Sequence, residues 1–134
     1  MKKENIDKFE KLHFQIKNIY SELGILSKKS PDSAINNFKL KFVNQLLTLA
    51  NTLLDEQYKP FADFDLFEEE DIPSNSDVVL VLSQYIQCLE KLKMDNVKML
   101  SGNWYWIIPN SKEEIKRFVN LFFKMFQCTN FDIK

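Results

Sequence analysis

Residues 30–56 read SPDSAINNFKLKFVNQLLTLANTLLDE. Ser30 as N-cap, Pro31 at the first helical position and Asp32 in the positively polarised first turn are three start signals of an α-helix. Ile35, Phe38, Phe42, Val43, Leu46, Leu47, Leu49, Ala50, Leu53 and Leu54 then follow at helical spacing. They cover a stripe wider than a surface helix needs, which predicts a central helix reaching about Glu56 with other helices on both sides of it.

The flanking sequence supplies those neighbours. Ile6, Phe9, His13, Ile16, Tyr20 and Leu23 alternate spacings of three and four, predicting a first helix from Asn5 to Leu23 that Gly24 caps in a left-handed conformation. Ser74, with Asp77 three residues on, gives a capping box for a third long helix. That helix carries Val78, Val79, Leu80, Val81, Leu82, Tyr85, Ile86, Leu89 and Leu92 and fades near Asn96 or Val97. Ser111 and Glu114 repeat the capping spacing and open a last helix with Ile115, Phe118, Val119, Phe122, Met125 and Phe126 facing inward. Between the second and third helices, Phe61, Phe64 and Phe67 recur every third residue among acids, which reads as a short helix from Pro60 with Phe inward and carboxylates outward. Ser101, Gly102 and Asn103 form a turn before Trp104, Tyr105, Trp106, Ile107 and Ile108, the one strongly β-like run, which Pro109 ends. No second strand is evident beside it. The expected fold is all-α: a compact bundle of four main helices plus one short Phe-rich acidic helix, with a single extended aromatic segment from Trp104 to Ile108. All of this falls in one domain, residues 1–134.

Composition narrows the chemistry. Twelve Phe among 134 residues provide an aromatic core, whereas two Gly, at positions 24 and 102, are too few and too far apart for a phosphate-cradling loop. Arg117 is the single guanidinium among 18 basic residues, so the planar fork used for base and phosphate readout is nearly missing. Cys88 and Cys128 follow no secretory signal and read as reduced thiols of a cytoplasmic protein. The longest apolar runs, Val78 to Leu82 and Trp104 to Ile108, fall well short of the ~20 residues of a membrane span, so no membrane association is expected.

The candidate chemistry is thin. His13 is the only histidine and lies on the inward face of the first helix, where a hydrogen-bonded structural role outweighs catalysis with Cys88 or Cys128. Asp63, Asp65 and Glu68 present oxygen donors, but the stretch has no glycine to form a cation loop, and two distant Cys with one His fall short of a zinc site. No metal or other cofactor is expected, and with every common catalytic constellation missing a member, no enzymatic activity either.

Two surfaces remain. From Lys59 to Asp77 there are one base and seven acids, net −6 in a chain of net −1, leaving +5 for everything else. Asp63, Asp65, Glu68, Glu69, Glu70 and Asp71 therefore form a candidate surface for a basic partner. Trp104, Tyr105 and Trp106 are candidate interface anchors, or alternatively a lid across the helices. The expected function is a small accessory or regulatory protein that binds another protein, or itself, through these residues. The rival expectation is a nucleic-acid-linked role, either weak Lys-mediated binding or acidic mimicry of nucleic acid against a nucleic-acid-binding partner.

Overall fold

The computed structural model describes residues 1–109. Three helices, α1 (Lys3–Lys29), α2 (Asn37–Tyr58) and α3 (Asn75–Asp95), pack pairwise, and a hairpin of β1 (Val97–Leu100) and β2 (Asn103–Trp106) follows them. The expected bundle of four main helices with a short acidic helix and a lone extended segment is thereby corrected to three main helices with a two-stranded antiparallel sheet. The last predicted helix, from Ser111, lies outside the described residues.

The core is one buried cluster. Ile6, Phe9, Leu12 and Ile16 of α1 meet Val43, Leu47, Ala50 and Leu54 of α2 and Val78, Leu82, Tyr85 and Leu89 of α3, with Val97 and Trp106 closing it from the hairpin. Each such aliphatic side chain contributes about 1.5–3 kcal/mol on leaving water. Helical periodicity marks most of these positions, because burial on one face is what produces it; it does not mark Leu12, Val97 or Trp106, and the α2 stripe read from sequence is too wide, since Phe38, Phe42 and Leu49 are exposed.

Helix ends differ from expectation wherever tertiary contacts compete with local signals. α1 runs through Gly24, since Leu23 and Leu26 continue its packed face. The helix stops only where the Ser30 N–H closes onto the Leu26 carbonyl at 2.9 Å. α2 starts at Asn37, not Pro31. Asn36 caps it, its side chain accepting from the Lys39 N–H at 2.8 Å. Residues 31–35 instead lie against Pro73 and the first turn of α3: the Ile35 N–H donates to the Pro73 carbonyl, the Asn75 N–H to the Ser33 carbonyl and the Ser76 N–H to the Pro31 carbonyl. Burial of Ile35 and these three backbone bonds outweigh the start signals at Ser30 to Asp32. For α3 local and tertiary signals agree, and both bonds of the Ser74/Asp77 capping box form.

The predicted helix at Pro60 is absent. Residues 59–68 run as an irregular strap across α2, ending in a single 3-10 turn, Glu69–Asp71. The hairpin is the other correction. Val97 pairs with Trp106 and Leu100 with Asn103, and the two-residue turn places Ser101 at φ 52° and Gly102 at φ 80°, the left-handed pair that a tight hairpin requires. Only Val97 of β1 is buried, so that strand carries no alternating pattern that sequence reading detects.

Candidate functional site

The acidic strap is held by amide side chains of α2. Asn44 and Asn51 stand seven residues apart, two helical turns, and so share a face. Asn44 donates through Nδ2 to the Phe67 carbonyl at 2.9 Å and accepts the Phe67 N–H on Oδ1 at 3.1 Å, while Asn51 Nδ2 donates to the Asp65 carbonyl at 3.0 Å. The Tyr85 hydroxyl of α3 donates to Asn51 Oδ1 at 2.6 Å and fixes that amide in turn. Beneath the strap, Phe61, Phe64 and Phe67 form an edge-to-face ladder with centroid separations of 5.9 and 5.0 Å. The three-residue repeat read as helical therefore serves an irregular chain that keeps one side apolar.

With backbone and phenyl rings occupied on the α2 side, Asp63, Asp65, Glu68, Glu69, Glu70 and Asp71 are all exposed. Lys59 pairs with Asp65. A cleft of about 400 Å³ opens at the end of the strap, floored by Ile35, Leu40 and Pro73 and edged by Glu69 and Glu70. An apolar floor with carboxylates at its rim suits a side chain with an aliphatic stem and a cationic head.

The aromatic run behaves differently. Trp106 is buried, meets Phe9 edge-on at 5.4 Å and donates its indole N–H to Glu10 Oε1 at 2.8 Å. Trp104 is half-buried against the core and Tyr105 is half-buried at the next position. The strap is tied to α2 and the hairpin to α1, so the two predicted surfaces rest on different helices.

A third constellation, not anticipated from sequence, lies between α1 and α3. Glu10 and His13 of α1 and Glu90 and Lys93 of α3 bring four ionisable side chains together, with Lys93 only 1% and His13 0% exposed. His13 Nε2 stands 2.5 Å from Glu90 Oε1, and Phe9 stacks on the imidazole at 5.4 Å. Burial lowers the pKa of His13, with the Glu90 contact opposing, so a neutral imidazole faces the carboxylate at neutral pH. Burial pushes Glu10 up to about 7, against the Trp106 hydrogen bond, and pushes Lys93 down to about 8, against the attraction of Glu90. For Glu90, burial acts upward, but hydrogen bonding to His13 and the positive charges of Lys93 and Lys17 hold it below the usual carboxylate range. The signal that could have found Lys93 is its spacing: it follows Tyr85 and Leu89 at steps of four, which is a core position of α3.

Catalysis by His13 with Cys88 gains no support from this geometry. The imidazole faces a carboxylate, and partial burial raises the Cys88 pKa, the opposite of thiol activation; Cys128 lies outside the described residues. Among the described residues no three His, Cys, Asp or Glu side chains are grouped to hold a metal ion, and no helix is long and apolar enough to cross a membrane. Comparison with models of protein families, with curated proteins and with solved structures finds no match.

Proposed function

We propose that this chain is a non-enzymatic binding protein that docks its acidic strap onto the basic surface of a partner protein. The observation that carries the reading is the division of labour within the strap: Asn44 and Asn51 hold its backbone while its carboxylates point to solvent. Charges on a fixed backbone lose less conformational freedom on association than charges on a loose loop, and their field steers a basic partner before contact. The cleft beside Glu69 and Glu70 takes a Lys or Arg side chain of that partner, its stem on Ile35 and Leu40 and its charge on the rim. Half-buried Tyr105 and Trp104 adjoin a second contact at most, since Trp106 is committed to Glu10 and the core.

Affinity capture from the native host at low ionic strength tests this reading. The expected result is one stoichiometric basic protein that elutes as salt rises and is lost when Glu68, Glu69, Glu70 and Asp71 are replaced by Gln and Asn. Capture that survives both salt and those replacements overturns it. The exposed carboxylates also suit the narrower role of a nucleic-acid mimic, in which case added DNA or RNA competes with the chain for the captured protein.

A further inference from the structure

A strand edge is left open beside the cleft. Residues 33–35 and 73–75 run antiparallel with Ala34 opposite Ser74, joined by the Ile35 N–H to the Pro73 carbonyl at 3.0 Å and the Asn75 N–H to the Ser33 carbonyl at 2.9 Å. Where the bonds come from the residues on either side, the N–H and C=O of the residue between them point away from its opposite number. Ala34 therefore turns both of its backbone groups away from Ser74. It is exposed, and among the described residues neither group has a hydrogen-bond partner. An extended chain can add at such an edge.

Ala34 is also part of the cleft wall, beside the floor of Ile35, Leu40 and Pro73, with Glu69 and Glu70 on the rim. Ile72 completes that lining at a conformational cost. Its φ of 47° and ψ of 62° place a β-branched residue in the left-handed region, where its N–H reaches the Glu69 carbonyl at 3.1 Å and the residue stays 67% exposed. This strain brings little burial, so the fold itself gains little from an isoleucine at 72, whereas a segment lying in the cleft gains an apolar contact there.

We propose that the cleft receives an extended basic segment of a partner protein, which adds its backbone to Ala34 as a short strand and lays an Arg or Lys side chain over Ile35 and Leu40 toward Glu69 and Glu70. The partner is the basic protein that docks on the strap, and the assignment rests on that docking. One residue of the segment donates its N–H to the Ala34 carbonyl and accepts the Ala34 N–H. Side chains alternate along a strand, so the residues next to it turn to the face that holds Ile35, and a basic residue there reaches the floor and rim of the cleft. A basic helix bonds its own backbone groups internally and leaves the Ala34 edge unused, and an acidic segment meets a rim of its own sign.

Nuclear magnetic resonance titration of the full, nitrogen-15-labelled chain with the peptide Ac-Val-Arg-Val-NH2 reads this directly. The amides of Ala34, Ile35 and Ile72 are expected to shift together. Norleucine in place of the arginine weakens binding about tenfold. N-methylation of both valines, which keeps every charge and side chain but removes the donors that pair with Ala34, weakens it about fivefold. On the protein, Glu69→Gln with Glu70→Gln reproduces the norleucine loss. Ile72→Gly weakens binding about threefold without lowering the urea midpoint, since glycine adopts the left-handed conformation freely. No shift at these amides at millimolar peptide overturns the proposal, as does binding that ignores the norleucine exchange or the N-methyl groups. Capture of a basic protein through the strap acids, with a silent cleft, sinks this assignment alone and leaves the docking of the strap standing. Peptide binding in the cleft with no captured protein does the opposite.

Discussion

Carboxylates occupy two opposed settings in this molecule. In the strap, Asp63 to Asp71 ride outside a backbone held by asparagines, with phenyl rings beneath. Between α1 and α3, Glu10 and Glu90 sit among His13, Lys93 and Trp106, where water is largely excluded. Exposed charge acts at a distance and contributes little to folding, whereas enclosed charge has no reach but couples folding to protonation. Acidic residues thus mark a recognition surface at one site and an internal constraint at the other, and environment alone separates them.

Glu10 offers the largest test of that contrast. Its folded pKa, raised from 4.5 to about 7, means that its contribution to stability is fully present below pH 4.5 and is lost as pH rises through 7. Lys93, lowered from 10.5 to about 8, contributes fully above 10.5 and loses that contribution as pH falls through 8. Near pH 7 Lys93 is therefore mostly in its charged, costlier form, and Glu10 passes into its own as pH rises through 7. Glu10→Gln keeps an acceptor for the Trp106 indole and removes the charge. Its expected gain is up to about 3 kcal/mol at neutral pH, vanishing below pH 4.5, as measured by urea midpoints across pH. A gain that does not depend on pH would show that Glu10 is not the titrating group.

The strap depends on amides where the interior depends on charge. Asn44→Ala removes two hydrogen bonds to Phe67 and is expected to cost about 1–2 kcal/mol in the same assay, with earlier proteolysis within residues 59–71. Loss of stability without local cleavage would mean that Asn44 supports α2 and not the strap. This pinning also marks where sequence reading reached its limit. The helical stripes, the Ser74 cap and the inward face of His13 were legible because each is a periodic or local signal. The strap was not, because its order comes from side chains at Asn44 and Asn51 that are remote in sequence and individually unremarkable on a helix surface. Burial of Glu10 and Lys93 escaped for a related reason: each is acceptable only beside residues on another helix, and Trp106, more than ninety positions away, provides the partner for Glu10.

The smallest expected effect is the most discriminating. Replacing Glu69 and Glu70 together by Gln should leave the urea midpoint within about 0.5 kcal/mol of the parent, because both side chains are exposed and make no bond that folding depends on. Any residual gain comes from relief of repulsion among neighbouring acids, so it appears at low ionic strength and disappears near 1 M salt, where the screening length falls to about 3 Å. The Glu10→Gln gain, generated where counterions do not reach, should persist unchanged across the same salt series. Equal salt dependence for the two variants would mean that the strap and the interior cluster share one electrostatic environment, and the distinction between a charge that recruits and a charge that constrains would fail.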